Sequence, residues 1–134
     1  MTIQLSVAAR DGGLDAFETA AGTAAHLKIY TGAQPANCAA TESGTLLCDI
    51  TLPSDWMAAA ASGSKSMSGT WAGTGAAAGT AGHFRIYDSA GANCHCQGSI
   101  TATGSGGDMT LDNTSIASAQ AVSISSFTLT AGNA

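Results

Sequence analysis

Residues 78–94 read AGTAGHFRIYDSAGANC, and this stretch decides the fold of the chain. Phe84 and Ile86 alternate with three polar residues, so in a β-strand the apolar pair lies on one face and the polar residues lie on the other. The run DSAGAN that follows is rich in turn-forming residues. We therefore predict a β-hairpin in which Phe84 and Ile86 are buried and Arg85 is exposed or lies at an interface.

Residues 21–38 read AGTAAHLKIYTGAQPANC and repeat the same pattern at an offset of 57 residues. The two copies share Ala-Gly-Thr-Ala, His, Ile-Tyr and Ala-Asn-Cys in the same order, with one gap. Each copy is followed by a further cysteine and a β-prone run, so an internal hairpin repeat would span 21–52 and 78–102. Chance similarity in a chain rich in small residues is the alternative.

The repeat extends the burial prediction to the first copy. Leu27 and Ile29 take the places of the apolar pair, and we expect both to be buried. Lys28 takes the place of Arg85, so it is expected to be exposed or to lie at an interface. The two hairpins are expected to be structurally equivalent, in opposite sheets of one sandwich.

Other segments with β-strand patterns complete an all-β prediction. Further strands are expected at Thr2–Ser6, Lys65–Trp71, Asp108–Asp112 and Ala121–Thr130, with loops at Gly73–Gly79 and Gly104–Gly107. In the last strand the apolar residues change parity at Ser125-Ser126, as a β-bulge requires. About eight short strands separated by turns are typical of a single β-sandwich or jelly roll, here over residues 1–134.

One or two short helices are expected beside these strands. Val7, Leu14 and Phe17 have helical spacing, although the glycine pair between them weakens a helix by about 1 kcal/mol per glycine relative to alanine. A second helix is predicted at Asp55–Ala61, where the preceding serine would be the N-cap.

Composition excludes several classes of function. The chain has 134 residues, 4 Lys+Arg, 9 Asp+Glu and a net charge of −5. So few basic residues cannot form a surface for nucleic acid or for an anionic membrane. No apolar run is long enough to span a membrane, and the N-terminus lacks the features of a signal peptide, so synthesis in a cytoplasm is expected.

The abundance of small residues points in the same direction. Ala, Gly, Ser and Thr make up 76 of the 134 residues, and only 10% of the residues are charged. Enzyme active sites need acids, bases and large anchoring side chains, whereas small neutral residues suit tight sheet packing and repeated subunit contacts. We predict a protein that is part of a permanent assembly and is not an enzyme.

The four cysteines are candidates for a metal site or a disulfide. Cys94 and Cys96 are expected on one face of the return strand with their sulfurs about 7 Å apart, which does not suit a single zinc ion. We therefore predict no metal and no cofactor. A Cys38–Cys48 or Cys94–Cys48 disulfide, formed after release into an oxidising medium, and buried free thiols remain alternatives.

Other candidate residues have structural interpretations. His26 and His83 occupy equivalent positions of the repeat and are expected to be structural, so no catalytic residue is predicted. Trp56 and Trp71 are either core residues or anchors of a subunit contact, because tryptophan is frequent at binding hot spots.

Four stretches resemble a known family. They are GTAGHFRIYDSAG at 79–91, GDMTLDNTSI at 107–116, LPSDWM at 52–57 and FTLTAGN at 127–133. With them nearly the whole chain resembles a family of small virion proteins encoded among the structural genes of long-tailed bacteriophages. The resemblance implies a component of the virion and no catalytic activity.

Among virion roles, a capsid decoration (cement) protein fits the acidic charge and the small size best. The expected partners are the major capsid protein and copies of the chain itself, as a dimer or trimer on the capsid surface. Contacts are expected at Thr2, Ile3, Gln4 and Leu5, by addition of a strand to a partner's sheet, and at the two tryptophans. A phage tail protein (tube or tip) and a carbohydrate-binding adhesion module are the alternatives.

Overall fold

The computed structural model describes residues 3–134, and within them the chain forms one helix and nine strands. The elements are α1 (Val7–Ala21), β1 (His26–Thr31), β2 (Leu46–Thr51), β3 (Ser64–Ser66), β4 (Ala72–Thr74), β5 (Gly79–Tyr87), β6 (Cys94–Ala102), β7 (Met109–Leu111), β8 (Ser115–Ile116) and β9 (Ala121–Thr130). The predicted all-β, sandwich-like fold is confirmed. Among the described residues, no helix has the length and apolar character needed to cross a membrane.

The strands form one curled sheet in the order β2-β1-β5-β6-β7-β9-β3, with β4 paired to β9 and β8 paired to β5. The named pairs are antiparallel except β6 and β7, which are parallel. A bridge between Cys48 of β2 and Gly75, next to β4, brings opposite ends of the curl together. Side chains from distant strands therefore meet inside, as Phe84 and Phe127 do with ring centroids 5.4 Å apart.

The two segments with similar sequences form adjacent hairpins, β1–β2 and β5–β6. Ile29 pairs with Cys48 as Ile86 pairs with Cys96, and in both hairpins the register shifts at the tyrosine that follows the isoleucine. Because β1 and β5 are antiparallel neighbours, a pseudo-twofold axis between them relates the two hairpins. The hairpins lie side by side in one sheet and not in opposite sheets.

The core contains the apolar residues that the alternation predicts. Leu27, Ile29, Phe84 and Ile86 are all at most 1% exposed, which confirms the prediction. They project from the face of β1 and β5 that the curl of the sheet encloses. Burying side chains of this size contributes about 1.5–3 kcal/mol each.

Trp56 and Trp71 are fully buried in this core, with ring centroids 5.9 Å apart. Trp56 Nε1 donates to the Gly22 carbonyl (2.8 Å), and Trp71 Nε1 donates to the Trp56 carbonyl (3.0 Å). Since neither side chain is accessible, the prediction that the tryptophans anchor a capsid or subunit contact is wrong. They are core residues with satisfied indole N–H groups, the other alternative.

Helix α1 begins at an N-cap, where the Ser6 hydroxyl accepts a hydrogen bond from the Ala9 N–H (3.1 Å). It is docked on the sheet by charge as well as by apolar contact. The Lys65 ammonium, on β3, contacts Asp15 at 2.6 Å and Glu18 at 2.8 Å. Lys65 is only 2% exposed, so these two helix carboxylates compensate a buried cation.

The helix predicted at Asp55–Ala61 is absent. Met57 instead makes an antiparallel bridge with Met67, and the Ala60 N–H donates to the Asp15 carboxylate at 3.0 Å. Tertiary partners therefore take the backbone groups that a helix would pair internally. Ser54 is a residue type that often precedes a helix, but at this position the tertiary contacts outweigh that preference.

The strand predicted at the N-terminus is also absent over residues 3–6, which are exposed and irregular. Thr2 lies outside the described residues. The strand predicted at Lys65–Trp71 is shorter than expected, because β3 ends at Ser66. The predicted loop at Gly73–Gly79 instead contains the end of β4 and the start of β5. A Cβ on Gly73 would lie 2.7 Å from Ile50 Cγ1, so the missing side chain is what lets β4 approach β2.

Two of the later predictions are confirmed. The loop expected at Gly104–Gly107 is irregular, and β9 spans Ala121–Thr130 as predicted. Along β9, Ser126 pairs with Thr110 and Ile124 pairs with Leu111, which leaves Ser125 as the extra residue of a bulge. A β-bulge at the serine pair therefore causes the change of parity, as the sequence predicts.

Candidate functional site: a strapped cleft and an apolar arm

The polar faces of β1 and β5 are covered by residues 32–45, the connection from β1 to β2, which we call the strap. Arg85 lies beneath it and is only 2% exposed. Its Nη2 donates to the carbonyls of Cys38 (2.7 Å) and Ala40 (3.0 Å), and its Nη1 donates to the Tyr87 hydroxyl (3.2 Å). The prediction that Arg85 is exposed or lies at an interface is wrong, because the guanidinium satisfies carbonyls of the strap.

Glu42 joins the far end of the strap to the two tyrosines of the repeat. The Tyr30 hydroxyl donates to Glu42 Oε2, and the Tyr87 hydroxyl donates to the same oxygen at 3.1 Å. Burial and the hydrogen bond to Glu42 raise the pKa of Tyr30, so its hydroxyl keeps its proton. The bond from Tyr30, helped by the bond from Tyr87, lowers the pKa of Glu42. One carboxylate thus holds both pseudo-twofold-related tyrosines.

The two repeat histidines also make structural contacts. His83 Nδ1 donates to the Gly32 carbonyl at 2.9 Å, and its ring stacks on Tyr30 with centroids 5.2 Å apart. His26 Nδ1 lies 2.9 Å from a carboxylate oxygen of Asp49 on β2. His83 therefore fixes the start of the strap, and His26 joins β1 to β2.

A cleft of about 680 Å³ opens between the strap and the turn that follows β5. Lys28 lines it, half-buried, with Nζ 4.6 Å from the centroid of the Tyr87 ring. Arg85 and Glu42 add a second cation and a carboxylate. Cys38 and Cys94 complete the reactive groups of the lining. The cleft therefore combines buried charge with two thiols.

The two thiols meet because of the β-bulge in the second hairpin. Cys96 pairs with Ile86, which points into the core, whereas Cys94 pairs with Tyr87, which points to the strap. The register shift between them therefore places Cys94 and Cys96 on opposite faces, and the prediction of one shared face is wrong. Cys38, on the strap, lines the same cleft as Cys94, and burial together with the Cys94 thiol raises the pKa of Cys38.

All four cysteines are free thiols in this structure. Cys48 is fully buried on the core side of β2 and donates to the Thr74 carbonyl at 3.3 Å. The structure thus gives no support to the Cys38–Cys48 or Cys94–Cys48 pairing and places Cys38 beside Cys94 instead. The sequence does contain a signal for this proximity, since both cysteines end the shared Ala-Asn-Cys string of the repeat. Glu42 has no counterpart in the second copy, so nothing in the pattern identified it.

The residues that the sequence predicts to bind a partner lie in a second feature, the N-terminal segment of residues 3–6, which we call the arm. Ile3, Gln4 and Leu5 are exposed, and Thr2 lies outside the described residues. The Leu5 N–H donates to the Asn133 carbonyl at 2.6 Å, which fixes the base of the arm beside the C-terminal segment. The structure therefore brings the predicted arm residues together but separates them from the two tryptophans.

Comparisons with protein-family models, with curated proteins and with solved structures found no match.

Proposed function

We propose that the chain is a capsid decoration protein of a long-tailed bacteriophage, bound in many copies to the outside of the shell. The observation that carries the proposal is the apolar surface at the N-terminus. Ile3, Leu5 and Val7 are 73%, 42% and 48% exposed, and they are the exposed large apolar side chains of the described residues. A cluster of this kind on an otherwise small-residue surface is typical of a site that a partner covers.

The spacing of these residues suits addition of a strand to a partner. Ile3 and Leu5 are two positions apart, so an extended arm presents both side chains on one side. The backbone of the arm can then pair with the sheet edge of a major capsid subunit while the side chains fill pockets. The bond from Leu5 to Asn133 holds the arm at its base, which lowers the ordering cost of binding.

The small contact is compatible with a stabilising role because the shell offers many equivalent sites. Full burial of two or three apolar side chains contributes a few kcal/mol, about 1.5–3 kcal/mol for each. Self-association of the chain as a dimer or trimer would place several arms on neighbouring capsid subunits. Multivalent attachment then exceeds the affinity of a single arm.

The burial of the aromatic residues argues against the carbohydrate-binding alternative. Such a module needs exposed rings on one sheet face, whereas Trp56 and Trp71 are fully buried, Tyr30 is 2% exposed and Tyr87 is 5% exposed. The tail alternative uses the same arm for a different partner, so the outcome of an assembly experiment separates it from the capsid role.

The test compares the wild-type chain with the double variant Ile3→Ser/Leu5→Ser, which keeps the backbone bond to Asn133. Each protein is mixed with empty expanded capsids of the encoding phage, and the bound fraction is measured by co-sedimentation. The control is Ala16→Ser, which introduces serine at an exposed position of α1. Circular dichroism checks that all three proteins are folded, and analytical ultracentrifugation of the free proteins measures their oligomeric state.

We expect the wild type and Ala16→Ser to sediment with the capsids and the double variant to lose at least ten-fold in affinity. Equal binding by all three would show that the arm is not the contact. If the wild type does not bind capsids, the decoration role is wrong. Polymerisation of the free protein into tubes would instead favour the tail role.

A further inference from the structure

We propose that Cys38 and Cys94 are joined by a disulfide when the protein enters an oxidising medium, and that this bond fastens the strap across β5 and β6. Both residues line the cleft and are half-buried, so small oxidants reach them. Arg85 links their surroundings, because it donates to the Cys38 carbonyl at 2.7 Å and to the hydroxyl of Tyr87, the residue that pairs with Cys94. The proposal concerns the folded chain and does not depend on the capsid role.

Both thiols are held in place by backbone contacts. Cys94 is the first residue of β6 and pairs with Tyr87, and its Sγ donates to the Cys96 carbonyl at 3.4 Å. Cys38 is fixed through its carbonyl, which accepts from Arg85 Nη2 at 2.7 Å. A disulfide requires the two side chains to approach closely in a defined geometry, so the proposal requires Cys38 and Cys94 to reach that geometry while these backbone contacts persist.

The other two cysteines pair with core-facing isoleucines of β1 and β5 and do not line the cleft. Cys48 is fully buried, and Cys96 is packed against the core. The full burial of Cys48 keeps oxidants away from its thiol. Cys38 and Cys94 are thus the two cysteines that face the same cleft.

The reaction is a thiol–disulfide exchange with glutathione disulfide as the oxidant. One thiolate of the pair attacks a sulfur of glutathione disulfide, which forms a mixed disulfide and releases one glutathione thiolate. The second protein thiolate then attacks the mixed disulfide, forms the Cys38–Cys94 bond and releases the second glutathione. The protein loses two electrons and two protons, and both are recovered in two molecules of glutathione.

The surroundings of the pair set the rate of this exchange. Burial, together with the Cys94 thiol, raises the pKa of Cys38 to about 11, although the Arg85 charge acts in the opposite direction. The thiolate fraction of Cys38 is consequently small at neutral pH and increases with pH. We expect a slowly formed structural bond and not a rapidly cycling redox sensor.

The bond would close a loop between residues 38 and 94. A cross-link over this length removes conformational entropy from the unfolded chain. For a chain of this size the expected rise in Tm is about 5–15 °C. The gain requires the strap to remain folded over Arg85 in the oxidised protein.

The test is to incubate the purified chain with glutathione disulfide at pH 8.5, block the remaining thiols with iodoacetamide and map the cross-link by mass spectrometry. Trypsin together with a protease that cuts after glutamate separates Cys38 (peptide 29–42) from Cys48 (peptide 43–65). Cys94 and Cys96 share peptide 86–134, so the Cys96→Ser variant is oxidised in parallel. Cys38→Ser is the variant that removes the bond, and Tm is measured for every sample with and without dithiothreitol.

We expect peptides 29–42 and 86–134 to be linked in the wild type and in Cys96→Ser, with a Tm that dithiothreitol lowers by about 5–15 °C. Cys38→Ser is expected to lose both the link and the dithiothreitol-sensitive gain. A link to peptide 43–65, a link confined to peptide 86–134, or four free thiols after complete incubation would overturn the pairing. A Cys38–Cys94 link without a rise in Tm would overturn the fastening of the strap.

Discussion

Lys28 of β1 lies directly opposite Arg85 of β5, and this pair marks the pseudo-twofold axis between the two hairpins. The two residues are equivalent in sequence and in register, yet Arg85 is 2% exposed while Lys28 is only half-buried. The cause is the strap, since a single segment cannot cover both sides of a twofold axis in the same way. The carbonyl groups of the strap accept hydrogen bonds from Arg85, whereas Lys28 lies at the edge of the cleft.

The first prediction concerns the attachment of the strap. Glu42→Gln replaces a carboxylate that accepts two tyrosine hydroxyls with a neutral amide, so the free energy of unfolding should fall by about 1 kcal/mol, a modest value because Glu42 is exposed. A looser strap should also increase the rate at which Cys38 reacts with a thiol reagent. Thr41→Ala, at the exposed neighbouring position, serves as the control, and equal labelling rates in both variants would contradict the role of Glu42.

The second prediction concerns the ion pairs between α1 and β3, in which the cation is buried and the two carboxylates are partly exposed. Lys65→Met replaces the buried ammonium with an apolar group and leaves two partly exposed carboxylates, so it should cost about 1–3 kcal/mol. The double variant Asp15→Asn/Glu18→Gln leaves the ammonium buried without a charged partner. It should lower Tm more than Lys65→Met does. Thermal unfolding followed by circular dichroism measures both, and the reverse order would show that Lys65 is not held as a buried cation.

Sequence periodicity predicted the parts of the fold that depend on alternation along one strand. The bulge in β9, the burial of Phe84 and the presence of two hairpins all follow from local pattern and turn residues. The same alternation places Arg85 on the other face but contains no information about what covers that face. The strap that buries it is an irregular segment held by side chains distant in sequence, such as Tyr87, which donates to Glu42 of the strap.

The same limit explains the errors at the candidate sites. The Cys94–Cys96 spacing predicts one face only if the strand is regular, and the register shift before Tyr87 is not visible in the residue types. A tryptophan has the same sequence signature in a core as at an interface, so Trp56 could not be assigned before its burial was known. The exposed arm at Ile3, by contrast, was identified from its residue types, although its irregular backbone was not.

The third prediction is a loss of stability in acid. A hydrogen bond from Lys65 is the main cause that lowers the pKa of Asp15, and the Tyr30 hydroxyl does the same for Glu42. The Ala92 N–H, followed by the Asn93 side chain, lowers the pKa of Asp88 to about 2. Groups whose pKa is depressed by folding stabilise the folded chain above their unfolded pKa values, and this stabilisation is lost as the pH falls through the folded ones.

Tm should therefore be constant above about pH 5 and should fall steadily between about pH 4.5 and pH 2. The Asp88→Asn variant, which retains an oxygen that can accept from the Ala92 N–H, should lose less Tm over the lowest part of this range than the wild type does. Calorimetry at several pH values checks both statements. A Tm that rises on acidification would contradict them, because it would mean that folding does not favour the ionised form of these three carboxyl groups.

The last prediction contrasts glycines that the fold requires with glycines that it does not. A Cβ on Gly82 of β5 would lie 2.3 Å from the Gly32 carbonyl oxygen, a backbone atom that cannot move aside. Gly82→Ala should therefore shift β5 away from the start of the strap and cost 2 kcal/mol or more, within the usual range of about 1–3 kcal/mol for overpacking. The equivalent position in the first hairpin holds Ala25, so the substitution is excluded by the neighbouring strap and not by the strand itself.

Gly12 and Gly13 of α1 are the matched comparison, because a Cβ at either position meets no atom within 4 Å. Both are exposed and helical, so Gly12→Ala and Gly13→Ala should each stabilise the chain by about 0.5–1 kcal/mol. This corresponds to a rise in Tm of about 2–4 °C for each substitution. Thermal unfolding of the three variants measures the contrast. A Gly82→Ala variant as stable as the wild type would show that the strap does not press on β5, and unchanged stability in the helix variants would show that α1 does not limit the unfolding of the chain.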